Sequence, residues 1–315
     1  MLATVPLDSK PQMITKILGL ISIPLIVLPK SRYSIKMKLV IHTLLYTTGL
    51  AVNSIIGLLC GLIAYPLGTQ YRQQLSHFVA RSFYYTFTPV LGWNFVVKDE
   101  EKLLEYSNNK KSSIIISNHQ TMLDILFLSR IFPNYTTMMA KQELKKIPLL
   151  GWWMSLSKSV FINRSDRTGA ISSFNRIANE IKDNGINVWI FPEGTRSSTK
   201  EPSLLPFKKG AFHLAIQAQI PLVPVLCENY YHLANFDKKD MKFERGTVQI
   251  KVLDPIPTKG LTSQDVQQLI DYTHSYMLYH LKLLSAESSN SEPPAPFTLQ
   301  PPSRSDDDDL VVVEK

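Results

Sequence analysis

The stretch from Leu39 to Leu67 most constrains what this chain can fold into, because it contains no Asp, Glu, Lys or Arg. His42 and Asn53 are its notable polar interruptions. A helix that crosses a bilayer needs about 20 apolar residues, so this stretch is long enough to span a membrane even when it is tilted. We therefore predict a membrane-embedded helical region near the N-terminus.

A shorter apolar segment, Ile17–Leu28, precedes this stretch and is interrupted by Pro24. Its length suits an interfacial or re-entrant segment better than a full span. It does not resemble a cleaved signal peptide, because it leads into Pro29-Lys30-Ser31-Arg32 instead of a small-residue cleavage site. The basic connector that follows favours the cytosolic side of the membrane. Two topologies stay open: a single span over residues 39–67, or a shallow hairpin that never crosses the bilayer.

Charge is distributed unevenly along the chain. The whole sequence carries a net charge of +8, but residues 285–315 hold seven acidic and two basic residues, so the remainder carries +13. A basic body indicates anionic partners such as a membrane surface or a phosphorylated substrate, although it also serves solubility. Nucleic acid is not expected, because zinc-finger spacing, an RNA-recognition signature and an Arg/Lys-rich helix are all missing. Cys60 and Cys227 form neither a disulfide framework nor a metal-site pattern, which favours a reducing, cytosolic environment.

From Trp93 onward, short β-rich runs alternate with amphipathic segments. The predicted strands are Phe95–Lys98, Ser113–Ile116, Tyr135–Met139, Ser159–Ile162, Val188–Phe191, Leu222–Leu226 and Thr247–Leu253. The predicted helices are Leu123–Phe132, Leu149–Ser157, Thr168–Asp183, Gly210–Gln217 and Ser263–Leu284. This alternation predicts an α/β fold with a central mixed, largely parallel sheet flanked by helices. The chain then divides into N-terminal membrane-associated helices (1–75), the α/β domain (76–284) and a disordered acidic Ser/Pro tail (285–315).

A histidine follows the first fully apolar strand of this domain. The strand Ile114-Ile115-Ile116 runs into Ser117-Asn118-His119, and Asp124 comes five residues after the histidine. Within one helix such a pair would lie about 140° apart, so the two side chains can meet only if His119 lies in the turn before the helix. Asp124 would then orient the imidazole, and the free ring nitrogen could accept a proton from a substrate hydroxyl. An isolated His-x4-Asp pattern is more often a structural hydrogen-bonded pair.

A second polar cluster follows another buried strand, Val188–Phe191. It reads Pro192-Glu193-Gly194-Thr195-Arg196, and Lys208-Lys209 follow at a predicted helix start. Glycine allows close approach of the backbone to a ligand, and the guanidinium of Arg196 suits phosphate oxygens. Together these residues predict a phosphate cradle. Taken alone, Glu193 and Arg196 could form a surface salt bridge, and the two lysines could be a solvated face.

Three further runs are compatible with this site. Lys141 and Arg164 could join Arg196 around an anion. Trp152 and Trp153 suit an apolar acyl groove or a membrane interface, although core packing explains them equally well. The run from Ile220 to Val225 is read as a structural strand that lines an acyl tunnel. A nucleophilic serine in a Gly-x-Ser-x-Gly elbow is missing from the sequence, so a general base acting directly on an alcohol is the simpler chemistry.

The order of these motifs resembles the four blocks of the glycerolipid acyltransferases. The blocks are Asn118-His119-x4-Asp124, Phe161-Ile162-x-Arg164, Phe191-Pro192-Glu193-Gly194-Thr195-Arg196 and Ile220-Pro221-Leu222-Val223-Pro224-Val225. Within this group the chain looks most like the fungal 1-acyl-sn-glycerol-3-phosphate acyltransferases, from about Trp93 to about Leu253. The resemblance implies a glycerolipid-acyltransferase-like α/β domain behind a membrane-embedded N-terminal region.

The resemblance also implies roles for individual residues. His119 would be the general base and Asp124 its partner. Glu193, Gly194, Thr195 and Arg196 would bind the acceptor, and Lys141 and Arg164 would contact its phosphate.

The expected substrates are acyl-CoA and lysophosphatidic acid, with phosphatidic acid as product and neither a metal nor a bound cofactor. A backbone N–H near the helix start is the expected oxyanion donor. The expected location is a membrane, in the endoplasmic reticulum or on lipid droplets, with the catalytic domain reaching cytosolic acyl-CoA.

Two alternatives remain at the level of the sequence. The acceptor could be glycerol-3-phosphate or another lysophospholipid, because Arg196 requires an anion without selecting the rest of the molecule. The protein could also be a non-catalytic lipid-binding scaffold, although a scaffold has no need for a base at the mouth of the sheet. Protein partners, acyl-chain preference and oligomeric state do not follow from the sequence.

Overall fold

A computed structural model of the protein describes residues 35–162, 177–181, 183–237 and 241–289. The strands in this part of the chain are β1 (Trp93–Lys98), β2 (Ile114–Ser117), β3 (Thr136–Lys141), β4 (Val160–Ile162), β5 (Asn187–Ile190), β6 (Leu222–Cys227), β7 (Ala234–Asn235), β8 (Lys242–Phe243) and β9 (Gly246–Val252). Seven of them form one sheet in the order β1-β9-β6-β2-β5-β3-β4, and β7 pairs with β8. Each of the seven predicted strands overlaps one strand of this sheet.

The pairing of the strands is mixed and mostly parallel, as predicted. Strand β2 is parallel to both of its neighbours, β5 and β6, and β3 is parallel to β5 and β4. At the other side of the sheet β9 is antiparallel to β6 and parallel to β1. Parallel sheets are usually covered on both faces, which accounts for the burial of all four residues of β2 and for its apolar run Ile114–Ile116.

The helices are α1 (Ile35–Ala64), α2 (Thr69–Leu91), α3 (Glu100–Asn108), α4 (Asp124–Ile131), α5 (Leu150–Leu156), α6 (Gly210–Ala218) and α7 (Val266–Ser289), with 3₁₀ helices at Gln142–Lys146 and Ser263–Asp265. The predicted helices near α4, α5, α6 and α7 are confirmed. Of the predicted helix Thr168–Asp183, residues 177–181 and 183 are helical, and the rest lies outside the described residues. Helices α2 and α3 were not predicted.

Two hydrophobic cores lie on opposite faces of the sheet, because successive strand residues point to opposite sides. Ile114 and Ile116 of β2 belong to the core that is covered by α6 and α7. Ile115 belongs to the other core, together with Phe127 of α4 and Tyr46 of α1. The N-terminal helix is therefore part of the core that supports the sheet.

Helix α1 packs along the α/β domain over much of its length. Its inner face carries Tyr46, Gly49, Gly57 and Gly61, all buried and spaced three, four or eight residues apart. An added Cβ at Gly49 would lie 2.7 Å from the ring of Phe87, so this glycine permits the close approach of α1 to α2. The outer face remains apolar and exposed. Leu39–Ala64 is long and apolar enough to cross a membrane.

The predicted domain boundaries do not coincide with the ends of helices. The boundary between residues 75 and 76 falls inside α2, whose polar residues Arg72 and Arg81 lower its hydropathy without interrupting the helix. Helix α7 continues to Ser289, beyond the predicted start of the tail at residue 285. The apolar segment 17–28 and the residues after 289 lie outside the described part of the chain.

The register of three neighbouring strands fixes where the polar motifs meet. Ile116 near the end of β2 is aligned with Ile190, the last residue of β5, and Ser117 with Val225 of β6. The loops that follow β2, β5 and β6 consequently leave the sheet at one edge. In parallel sheets ligands bind outside this carboxyl edge.

Candidate active site

The His119 and Asp124 side chains meet at the carboxyl end of β2. The helix begins at Asp124, so His119 lies in the preceding turn, and its Nδ1 is 2.6 Å from the Asp124 Oδ2. The side chain of Asp124 is 2% exposed and that of His119 is 20% exposed. Nε2 of His119 makes no hydrogen bond to the residues that the structure describes. The buried carboxylate therefore orients a partly accessible imidazole whose second nitrogen is available to a substrate.

Three donors hold the Asp124 carboxylate besides the imidazole. The backbone N–H groups of Gln120 and Thr121 donate to Oδ2 at 2.7 and 3.3 Å. The Tyr230 hydroxyl donates to Oδ1 at 2.5 Å, and it also lies 2.8 Å from the Thr121 hydroxyl oxygen. Burial raises the pKa of Tyr230 well above its usual range, so the phenol remains a donor. These bonds replace the water that a carboxylate loses on burial.

Two amide side chains attach the loop after β2 to the end of β6. The Asn118 side chain donates to the Cys227 carbonyl and accepts from the Cys227 N–H, both at 2.9 Å. The Gln120 side chain donates to the Glu228 carbonyl at 2.8 Å. Asn118 is 2% exposed, so its position in the motif serves to fix the turn that carries His119.

Glu193 links the loops that follow β2 and β5. Its Oε1 accepts the His119 N–H at 2.8 Å and its Oε2 accepts the Leu205 N–H at 2.9 Å. Predicted as part of the acceptor site, the side chain is instead 1% exposed, with both oxygens bound to the main chain. Burial raises the pKa of Glu193 to about 7. Its contribution to the site is the placement of the His119 turn.

The other residues at and after the end of β5 lie around His119. The Ser197 N–H and hydroxyl both donate to the His119 carbonyl, at 2.9 and 3.1 Å. The Phe191 ring stacks on the imidazole with a centroid distance of 4.1 Å. Gly194 has a φ of +71°, a backbone conformation that favours glycine. Thr195 and Arg196 are exposed and directly precede Ser197 in the chain.

The other predicted cations make fewer contacts with the site around His119. Lys208 and Lys209 are exposed, and Lys209 directly precedes helix α6, which begins at Gly210 as predicted. Lys141 ends β3 at the carboxyl edge of the sheet and is exposed. In the described part of the chain, no hydrogen bond or ion pair joins Lys141 to His119, Glu193 or Arg196. Arg164 lies outside the described residues.

Backbone N–H groups near the helix start were expected to supply an oxyanion donor. Those of Gln120 and Thr121 donate to Asp124, and that of Leu123 donates to the Thr121 hydroxyl at 3.0 Å. These three groups are therefore committed to the turn itself.

An apolar cavity of about 200 Å³ lies against the outer face of α4, the helix that begins with Asp124. It is bounded by α1, α2, α4, α5 and β3, and the lining includes Leu50, Phe83, Leu128, Met138 and Trp153. Trp153 thus faces the predicted kind of apolar groove, whereas Trp152 is 53% exposed. The run Ile220–Val225 does not line this cavity and instead supplies the buried strand β6.

The pKa of Glu193 leads to a prediction about stability. Because this pKa rises from an ordinary value of 4.5 to about 7 on folding, the folded state favours the neutral acid. The contribution of Glu193 to the free energy of unfolding is therefore complete below pH 4.5 and declines as the pH rises towards 7. As the pH rises from 4.5 to 7, the unsubstituted protein (the parent) should lose stability relative to Glu193→Gln, as measured by thermal unfolding in detergent. Exposed Glu201→Gln is the control and should follow the parent, and parallel curves for parent and Glu193→Gln would contradict the prediction.

Comparison with known proteins identifies the chain. Residues 95–228 match the family model described as Acyltransferase. The chain is 39% identical over 242 residues to the 1-acyl-sn-glycerol-3-phosphate acyltransferase of Saccharomyces cerevisiae, covering 77% of each protein. It is 42% identical to an uncharacterised acyltransferase of Schizosaccharomyces pombe, covering 73% of this chain and 80% of that protein.

Two further matches extend the comparison. The human 1-acyl-sn-glycerol-3-phosphate acyltransferase beta is 37% identical over 72% of this chain and 77% of its own length. The crystal structure of the 1-acyl-sn-glycerophosphate acyltransferase PlsC from Thermotoga maritima has the same fold, with a TM-score of 0.50, 23% identity and coverage of 73% of this chain and 97% of that one. The chain therefore belongs to the 1-acyl-sn-glycerol-3-phosphate acyltransferase family.

Proposed function

We propose that this protein transfers a fatty acyl group from acyl-CoA to the sn-2 hydroxyl of lysophosphatidic acid, giving phosphatidic acid. The observation that carries the proposal is the 2.6 Å contact of His119 with buried Asp124, which leaves Nε2 available at the mouth of the sheet. The names of the yeast and human relatives support the choice of acceptor.

In the proposed reaction His119 acts as a general base. Nε2 takes the proton of the acceptor hydroxyl while its oxygen attacks the thioester carbonyl carbon. The tetrahedral intermediate then collapses, the carbon–sulfur bond breaks, and the imidazolium returns the proton to the departing thiolate. Asp124 stabilises the imidazolium through its hydrogen bond to Nδ1, and its three other donors stabilise the negative charge of the carboxylate.

Arg196 and Thr195 are proposed to bind the acceptor phosphate. Both are exposed next to Ser197, whose N–H and hydroxyl bind the His119 carbonyl. A phosphate held there would lie close to the base, which is the proximity that the transfer requires. Lys141, at the same edge of the sheet, is proposed as a weaker contact for the same anion.

The cavity beside α4 is proposed to hold a fatty acyl chain. Its lining is almost entirely apolar, and a hydrocarbon that enters it gains about 0.8 kcal/mol for each buried CH₂ group. Its walls include α1, so the helix that meets the membrane also shapes the site that holds the lipid.

Membrane association is proposed to follow from the outer face of α1. Because Tyr46 donates to the Met122 carbonyl and Gly61 contacts Leu156 of α5, the α/β domain flanks α1 over 15 residues, about 22 Å of helix. A helix flanked in this way does not cross a bilayer alone. We infer a shallow position in one leaflet, with the sheet edge facing cytosolic acyl-CoA, in the endoplasmic reticulum or on lipid droplets.

Removal of the base should abolish transfer. We expect His119→Ala to lower the turnover of purified enzyme by about 10²–10⁴-fold, the usual contribution of general-base catalysis. The measurement is transfer from labelled oleoyl-CoA to a panel of acceptors that includes lysophosphatidic acid, other lysophospholipids and glycerol-3-phosphate. Exposed His213→Ala should retain activity. Equal turnover in both variants would sink the assignment of the base, and lipid binding without transfer to any acceptor by the parent would favour a scaffold.

Loss of the guanidinium should weaken acceptor binding. Arg196→Ala removes a charged hydrogen bond worth roughly 1.5–3 kcal/mol, which corresponds to a rise of about 10- to 150-fold in the KM for lysophosphatidic acid. Lys200→Ala, an exposed cation four residues later, is the control. If the KM for acyl-CoA rose instead, the cradle would have been assigned to the wrong substrate.

Tyr230→Phe tests whether the Asp124 carboxylate must be held by its second oxygen. The change leaves Oδ1 without its closest donor and frees the carboxylate to turn away from His119. We expect turnover to fall about tenfold, the effect of one charged hydrogen bond, with both KM values unchanged. Neighbouring Tyr231→Phe should have little effect, and a Tyr230→Phe enzyme with parental turnover would show that the bond is dispensable.

A further inference from the structure

We propose that the corner formed by Lys145, Lys146, Ile147 and Trp152 is a second membrane contact that binds anionic lipid headgroups. This corner comprises the end of the 3₁₀ helix Gln142–Lys146 and the first turn of α5. The inference rests on the proposed function, since it assumes that the enzyme meets its acceptor in a membrane.

The segment that carries the corner has two distinct sides. Leu144, Leu150 and Trp153 point inward and line the apolar cavity. The four corner residues alternate with them along the chain and are all exposed. The segment is therefore a wall between the cavity and the surroundings of the protein, apolar inside and mixed cationic and apolar outside.

The exposed side has the composition of a membrane interface. Trp152 is 53% exposed and Ile147 is 42% exposed, next to two exposed lysines. Between Lys141 and Ser157 the sequence contains one acid, Glu143. Among the described residues neither Lys145 nor Lys146 pairs with a carboxylate, and Lys145 lies 6.0 Å from the centroid of the Phe161 ring. Tryptophan and lysine together favour the headgroup layer, and lysines near a surface attract anionic lipids.

The helix that carries Trp152 packs against α1, whose outer face is apolar. Helix α5 contacts α1 closely, since a Cβ on Gly57 would lie 3.1 Å from the Trp153 ring and one on Gly61 would lie 2.9 Å from Leu156. The outer residues of α1 at this end, Leu59, Leu62 and Ile63, are 56%, 57% and 68% exposed. A lipid surface is the occupant that matches a long uncharged apolar face bordered by cations.

This contact would have a direct consequence for the substrate. The corner follows Lys141, the last residue of β3, and so lies near the carboxyl edge of the sheet where His119 is located. The proposed acceptor is itself an anionic lipid. Headgroups that collect around Lys145 and Lys146 would raise the local concentration of acceptor at the entrance to the site.

Tryptophan quenching by brominated lipids tests the proposal on the full chain reconstituted into vesicles. The bromine label is placed either on phosphatidylcholine or on phosphatidylglycerol in vesicles of identical composition. The Trp152 signal is the difference between the parent and Trp152→Phe, and buried Trp189→Phe is the control. We expect brominated lipid to quench Trp152, and brominated phosphatidylglycerol to quench it more strongly than brominated phosphatidylcholine at equal content.

The lysines are tested by charge reversal. Lys145→Glu with Lys146→Glu should abolish the preference for phosphatidylglycerol, with up to about a fivefold loss of relative association for each lysine. Lys110→Glu with Lys259→Glu carries the same charge change away from the corner and should keep the preference.

Three outcomes would contradict one of the two proposals. Unquenched Trp152 would overturn the membrane contact, and this is the result expected if a protein, and not a lipid surface, covers the corner. Quenching without headgroup preference would overturn the role of the lysines. A parent that shows this quenching but transfers no acyl group would refute the proposed function and leave the corner supported.

Discussion

The parallel register of β5, β2 and β6 is the constraint on which the rest of the structure depends. It aligns Ile116 with Ile190 and Ser117 with Val225, so that three loops distant in sequence leave the sheet side by side. The contacts between these loops follow from this alignment. The β2 loop supplies the imidazole, the β5 loop supplies Glu193 and Arg196, and the β6 loop supplies Tyr230. A slip of one residue in either pairing would turn the strand faces over and separate the loops.

The buried Asp124 carboxylate determines the form that the β2 turn takes. A charge removed from water must be compensated by nearby donors, and here two backbone N–H groups, a phenol and an imidazole supply them. The backbone donors can reach Oδ2 only if residues 120 and 121 curl back over the first turn of the helix. That same curl places His119 outside the helix. The geometry that brings His119 to Asp124 is thus the one that supplies the carboxylate with its hydrogen-bond donors.

The sequence predicted the elements whose signals are local. The seven strands and the contact of His119 with Asp124 could be predicted because each depends on a short run of residues, such as Ile114–Ile116 followed by His119. Helix α3 was not predicted because Glu100–Asn108 is mostly polar, and only its position beside the sheet gives it an inner face. Tyr230 was beyond prediction because it contacts Asp124 across 106 residues. The orientation of Glu193 was equally inaccessible, since its motif permits a carboxylate that faces either a ligand or the main chain.

The N-terminal helix is structurally part of the site rather than a separate anchor. Tyr46 is 3% exposed and donates to the carbonyl of Met122, which lies between His119 and Asp124 in the chain. Further along, Gly57 faces Trp153, which lines the cavity beside α4. One helix therefore contacts the turn between His119 and Asp124 at one point and a wall of the apolar cavity at another. Any displacement of α1 relative to the sheet would alter both, so the position of this helix and the geometry of the site are mechanically linked.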